Sequence, residues 1–330
     1  MKTLLIIAVF VLACSSFSTA QQRAVYSNFL MNDFYYNPAI AGSRDVHQAN
    51  ITYRNQWVGF DGAPSLILGN FSGSAKNEGK IGYGVSFISE TAGITQNTGF
   101  YLNYAQHFKL SDKVKLGLGV QPGYMQYRVK LYDAQLADQG DEVLTGSVYS
   151  ASAVDVSTGF HLYSKKFFVM GSLHHLLGKS IQFTSYNSNL QFHYTAIAGY
   201  NININADPKK KKMPIDIQPS FLVRYVKPVP IQCSAMLKTT FNKKYWFGLI
   251  YRSDDAVGVS MGMQIGDKFN MAYGYDYTLS KLSSYQAGSH EVMLSYVISR
   301  KKPSMTEKDD ELNKSIIDEL KKSIEEKEKN

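Results

Sequence analysis

Two adjacent pairs, His174-His175 and His290-Glu291, carry the residue types that bind metals or move protons. Neighbouring imidazoles could ligate a cation, and an imidazole beside a carboxylate could relay a proton. Each pair falls in a stretch read as a strand, where neighbouring side chains point to opposite faces. Neither pair then converges on one ion or one substrate, and both read as structural. No hydrolase elbow, zinc spacing or phosphate loop occurs in the chain. The reading is therefore of a protein that is not an enzyme, with no catalytic residue, cofactor or metal.

The other candidate polar groups are Lys115, Asp155, His161, Lys238, Arg252 and Asp276, which occupy the small or polar phase of alternating stretches. On the inside of a closed sheet they would either tune selectivity of an open pore or pair across a filled interior. Both readings stay open. The run "PKKKK" at 208–212 has the look of a nucleic-acid or anionic-lipid patch. For an exported chain nucleic acid is excluded as a partner, leaving a solvated turn or a contact with an acidic periplasmic protein.

Export is read from residues 1–20. Lys2 precedes the apolar run 4–13, and Ser18, Thr19 and Ala20 supply small residues before Gln21. This is the pattern of a cleaved signal peptide. The competing reading, a lipoprotein signal with Cys14 acylated, meets a bulky Leu12 two residues before that cysteine. Cleavage removes one of the two cysteines, leaving Cys233 alone, so neither an intramolecular disulfide nor a cysteine-pair metal site can form. Stability must come from another source.

The elements that position these groups are strands. Tyr numbers 23 and Gly 25, and after the leader no apolar run approaches the ~20 residues of a membrane helix. Period two recurs instead. Ile81, Tyr83, Val85 and Phe87 alternate with Gly82, Gly84 and Ser86, and Val257, Val259, Met261, Met263 and Ile265 alternate with Gly258, Ser260, Gly262 and Gln264. Similar stretches begin near 46, 65, 79, 97, 113, 153, 166, 189, 215, 230, 244, 255, 268 and 288. Each is about ten residues long, enough for a tilted strand to cross a bilayer. A membrane admits a sheet only when it closes on itself. The expected fold is an all-β transmembrane antiparallel barrel of about 14 strands over residues 46–299.

Connector lengths support an orientation. The stretches 109–112, 164–166, 242–244 and 266–268 are short and fall on one side, and the long ones at 129–152, 175–188 and 280–287 fall on the other. Outer-membrane barrels keep short turns in the periplasm and long loops outside. Three connectors run against the rule: 227–230 and 253–255 are short outer loops, and 205–214 is a long inner one. Residues 21–45 precede the barrel, and their aromatic stretch 29–36 reads either as a plug in the lumen or as a contact for periplasmic partners. Residues 300–330, with nine basic and nine acidic side chains, read as a charged periplasmic helix. Ile316, Ile317, Leu320 and Ile324 give it a narrow apolar stripe that calls for a docking partner.

Two short motifs carry a resemblance. "NPAIAGSRD" at 37–45, followed by "YRNQWVGFDGAPS" at 53–65, resembles the PorP/SprF family of the type IX secretion system of Bacteroidota. The motif residues are Asn37, Pro38, Ala39, Gly42, Tyr53, Arg54, Asn55, Gln56, Trp57, Gly59 and Pro64. The resemblance implies an outer-membrane barrel whose partners are the other periplasmic and outer-membrane components of that machinery, outer-membrane lipid, and secreted client proteins. Such clients, often gliding adhesins, carry a C-terminal sorting domain, by which the barrel would deliver or anchor them at the cell surface. The alternative is an outer-membrane channel for small or hydrophobic molecules. Trp57 and Phe60 would lie near the outer mouth. They serve there either as a docking element for the client or as aromatic anchors at the membrane interface.

Overall fold

The alternating stretches form fourteen antiparallel strands closed into a barrel, with one short extra strand in the same sheet. The computed structural model describes residues 25–44, 46–75, 81–130, 148–178, 180–182, 187–204 and 213–300. In chain order the first strands are β1 (Val46–Asn55), β2 (Ser65–Ser74), β3 (Ile81–Ala92), β4 (Thr95–Lys109), β5 (Lys115–Lys130), β6 (Val148–Tyr163) and β7 (Phe167–His174). A two-stranded ribbon of β8 (Ser180–Gln182) and β9 (Asn187–Asn189) decorates the following loop. The second half comprises β10 (His193–Tyr200), β11 (Ile202–Ile204), β12 (Ile215–Val226), β13 (Val229–Phe241), β14 (Tyr245–Arg252), β15 (Ala256–Ile265), β16 (Phe269–Thr278) and β17 (Ser289–Arg300).

Neighbours in sequence are neighbours in the wall, and two seams complete the circle. β17 lies beside β1, and β10 pairs with both β7 and β12. β11 carries the line of β10 along β12, with Ile202 opposite Ile217. Apart from the three-residue β8, β9 and β11, the described strands run from 8 to 16 residues, so several exceed the expected ten. β5 and β6 are longest because they pair along their whole length, from Lys115–Tyr163 to Lys130–Val148.

Face assignment follows the period. Tyr83, Val85 and Phe87 on β3 and Val257, Val259 and Met261 on β15 are exposed on the outer wall. Tyr53, Tyr194, Tyr225, Tyr251 and Tyr277 stand outward near one rim, and Phe108, Tyr200, Phe241 and Tyr245 near the other. An apolar band between two aromatic girdles is the surface a bilayer and its interfaces select. No helix among the described residues is long and apolar enough to cross a membrane.

The two rims differ in their connections. Residues 110–114, 164–166, 242–244 and 266–268 make tight turns at one rim, here the turn end, where β1 begins and β17 finishes. Asn242 and Lys243 both adopt positive φ, 49° and 53°, matching the twist of a tight hairpin. The opposite loop end carries residues 56–64, the described parts of 175–192, and 279–288, together with short links at 93–94, 227–228 and 253–255. The lysine run 208–212 and residues 301–330, with the expected helix and its stripe, lie outside the described residues, as do residues 1–24.

The core is not made by the wall alone. Tyr26, Phe29, Leu30, Phe34, Tyr35, Tyr36, Ile40 and Ala41 precede the first strand and are all buried. They form one cluster with inward side chains from around the barrel, among them Leu66, Met170, Leu222, Met236, Trp246 and Met293. A four-residue helix α1 (Asp33–Tyr36) and a 3-10 turn at Pro38–Ile40 give this segment its shape. The wall makes room for it where its side chains vanish. A Cβ on Gly119 would lie 2.6 Å from the Pro38 carbonyl carbon, and one on Gly82 would lie 2.8 Å from Gly42 N. Replacing Gly119 with Val should therefore lower stability by about 1–3 kcal/mol, the usual cost of overpacking. Thermal unfolding in detergent checks this, and an unchanged midpoint would mean that the segment is not seated on β5.

Candidate functional site

The first motif is a seat. Asn37 ends α1 and accepts a hydrogen bond from Ala39 N through Oδ1 at 2.9 Å, capping the 3-10 turn that Pro38 opens. Its Nδ2 donates to the carbonyls of Phe160 at 2.8 Å and Gly171 at 3.1 Å, which face each other across β6 and β7. Ala41 offers its carbonyl to His107 Nε2 at 2.7 Å. Gly42 has a φ of 71°, a left-handed conformation suited to glycine, as the chain passes Gly82 on β3. Asn37, Pro38, Ala39 and Gly42 thus fasten the N-terminal segment to the inner wall.

The second motif divides. Tyr53 faces outward, whereas Arg54, next along the strand, is 1% exposed and faces inward. There it lies 2.8 Å from Asp276 and 3.4 Å from Glu291, with Nη1 donating to Ser27 Oγ at 2.6 Å. Arg252 joins the cluster, 3.5 Å from Asp276 and 2.8 Å from Asp255 at the rim. Glu291 has no exposure and accepts from Ser27 N at 2.9 Å, Asn28 N at 3.2 Å and Asn28 Nδ2 at 3.0 Å. Ser27 Oγ also donates to Asp276. Buried charges persist when paired and hydrogen-bonded; here the partners include the backbone of the N-terminal segment, while Arg54 Nε, Arg252 Nε and Asp276 Oδ1 meet no partner among the described residues. Arg54, Arg252 and Asp276 lie near the loop-end limits of β1, β14 and β16, whereas Gly42 meets the turn-end start of β3. Residues 27–42 therefore run the length of the lumen.

The remaining motif residues build the loop of 56–64. Gln56 N donates to Pro64 O at 2.9 Å, closing its base next to Asn55, the last residue of β1. Trp57 is half-buried with a φ of 53°, which a bulky residue rarely holds. Neighbouring loops impose it. Trp57 N donates to Ser289 Oγ at 3.1 Å, Val58 exchanges backbone bonds with Gly288 at 2.8 Å and Ala287 at 2.7 Å, and Gly93 N reaches Gly62 O at 2.8 Å. Gly59, with a φ of 92°, turns the chain so that Phe60 stands 42% exposed at the tip.

The histidines correct one expectation. β7 stops at His174, and His175 has a φ of 62°, so the strand rule no longer separates the pair and both rings are buried. His174 Nε2 meets the Tyr36 carbonyl at 2.9 Å, and His175 Nδ1 lies 3.0 Å from Asp155 Oδ2. His290 and Glu291 do point to opposite faces, with His290 outside against the Tyr273 hydroxyl at 2.6 Å. Of the six polar groups assigned inward, Asp155, His161, Arg252 and Asp276 are buried and Lys238 is half-buried. Lys115 departs from them, since the first residue of β5 stands in solvent at the turn-end rim. Ser27 and Asn28 escaped the sequence reading, and Glu291, read only as the structural partner of His290, was not assigned to the lumen cluster. The inward phase of β17 was the signal for Glu291, and nothing local marked the other two.

Comparison with curated proteins returns no match. Among solved structures, the chain is similar to the toluene transporter TbuX of Ralstonia pickettii, with a TM-score of 0.44, 11% identity, and 84% of this chain and 95% of that one covered. It is also similar to CdiB from Acinetobacter baumannii, with a TM-score of 0.44, 8% identity, and 76% and 59% covered. A FadL homologue of Pseudomonas aeruginosa gives 0.41, 9% identity, and 80% and 93% covered. The sequence model of the type IX secretion system membrane protein PorP/SprF matches residues 18–296, which take in both motifs and nearly the whole barrel. By that match, the chain belongs to the PorP/SprF family of type IX secretion system membrane proteins.

Proposed function

We propose that this protein is an outer-membrane barrel closed by its own N-terminal segment, which holds secreted clients by their C-terminal sorting domain at the loop end. The observation that carries the proposal is the filled lumen. Residues 25–42 are buried almost without break and tied at both rims, so a passive pathway has little room. The loop of 56–64 supplies a candidate contact, because its conformation is fixed by two neighbouring segments, at 287–289 and Gly93, while Phe60 stands exposed at its tip. Rigid presentation of an exposed aromatic reduces the ordering cost of binding. The short turns face the periplasm in this reading, where other components of the secretion machinery are reached. Gliding adhesins are the client class that the family suggests.

Trp57→Gly combined with Phe60→Ala tests the contact cleanly. Glycine accepts a φ of 53° at no steric cost, so the loop keeps its path while both rings are lost. The expected result is normal insertion with surface retention of secreted proteins reduced about tenfold, the effect of losing one aromatic anchor. Undiminished retention would remove this loop from the contact. Recovery of large secreted proteins sharing a C-terminal domain, by co-purification from native outer membranes, is expected. Recovery of the barrel alone, from cells that secrete normally, would favour the channel reading.

A further inference from the structure

Below the N-terminal segment a cavity of about 550 Å³ lies in the lumen, toward the turn end. Its walls come from β1, β6, β7, β12, β13, β16 and β17, and its roof from Leu30, Met31, Asp33 and Arg44. This volume is within the range of small-molecule sites. Three polar groups give it a chemical preference. Lys238 reaches in from β13 with its ammonium 5.1 Å above the Trp246 ring and 3.4 Å from Met31 Sδ. Among the described residues no carboxylate lies at ion-pair distance from it, although Asp33 in the roof acts on it from further off. Arg44 is paired with Asp33, so Arg44, Lys238 and Asp33 together leave one surplus positive charge among the described residues lining the cavity. His161, 7% exposed and stacked on Tyr163 at 4.4 Å, lines the same cavity through its ring, while its Nδ1 is turned away from the open space.

An ammonium in a partly desolvated site, with the nearby carboxylate already held by a guanidinium, calls for a further anion. One surplus positive charge matches one negative charge, which favours a carboxylate over a doubly charged phosphate. Met170, Met293, Phe168 and Leu30 supply an apolar bed beside the polar groups. We infer that this vestibule binds a monocarboxylate with a short apolar body, its oxygens facing Lys238. A free organic acid and the terminal carboxylate of a peptide share that chemistry. The inference does not depend on client binding at the opposite rim.

Titration calorimetry of the full chain in uncharged detergent tests it with acetyl-leucine, acetyl-leucinamide and butyrate. Saturable heat with acetyl-leucine and none with the amide is expected. Butyrate binding as well as acetyl-leucine assigns the site to free organic acids, and much weaker butyrate binding assigns it to peptide termini. Lys238→Met should weaken binding roughly tenfold or more, the loss of one charge-assisted hydrogen bond. Lys238→Arg, which keeps the charge, should retain most of it and controls for folding. Equal binding of acid and amide, absence of saturable heat with both acids at millimolar concentration, or full binding by a folded Lys238→Met chain would overturn the inference.

Discussion

Glu291→Ala is expected to release the N-terminal segment from the barrel while leaving the wall intact. The carboxylate accepts from the backbone of Ser27 and Asn28 and the side chain of Asn28, with Arg54 3.4 Å away. Its removal strands Arg54 beside Asp276 alone and leaves two backbone N–H groups without an acceptor. Breaking a buried pair by removing one partner costs about 3–5 kcal/mol. The β16–β17 ladder does not use the side chain, so strand closure should survive. Hydrogen exchange followed by mass spectrometry reads the difference. Amides of residues 25–32 should exchange faster by two orders of magnitude or more, a 3 kcal/mol loss being roughly 100-fold, while those of β16 and β17 stay protected. Glu291→Gln, which keeps an acceptor but drops the charge, should fall between. Wild-type protection of residues 25–32 in the alanine variant would mean that the aromatic contacts alone hold the segment.

Deleting residues 25–41 carries the second large effect. Each of Tyr26, Phe29, Phe34 and Tyr36 is nearly inaccessible, and such side chains contribute about 1.5–3 kcal/mol apiece when buried. Without them the lumen is lined by Arg54, Asp155, Arg252, Asp276 and Glu291, which water would solvate. The fourteen-strand wall retains its own hydrogen bonds, because closure runs strand to strand. In planar bilayers the full-length protein should be electrically silent and the deletion variant should conduct steadily. A silent deletion variant that is demonstrably inserted would show that another element closes the lumen. Conduction by the full-length protein would favour the channel reading.

Much of the wall was legible because its cause is local. Strand starts expected near 65, 215, 244, 255 and 268 are observed at Ser65, Ile215, Tyr245, Ala256 and Phe269. The alternation of outward Val257, Val259 and Met261 with small neighbours needs only the two-residue repeat of a strand. The start expected near 153 lies within β6, which begins at Val148, because β5 pairs beyond the point where the apolar pattern fades. His175 was misread because the strand rule was applied one residue past the strand, where φ becomes positive. Trp57 and Phe60 were placed at the outer mouth by strand parity, but the φ of 53° at Trp57 depends on the loop at 287–289, far away in sequence.

By itself, then, the sequence determined the number of strands, the face that side chains take within the alternating stretches and which rim carries most of the tight turns. Period two, turn chemistry and the need to satisfy the backbone in a bilayer are all written within a dozen consecutive residues. Only the tertiary structure decided what fills the barrel. Arg54 and Glu291 stand 237 positions apart and become neighbours only when the last strand closes against the first. Ser27 and Asn28 have no pattern that announces a partner. They acquire one because a closed wall leaves two carboxylates and two guanidinium groups facing a space that cannot hydrate them fully. The motif at 37–42 shares that dependence, since its asparagine and glycine are explained by Phe160, Gly171 and Gly82 on three other strands.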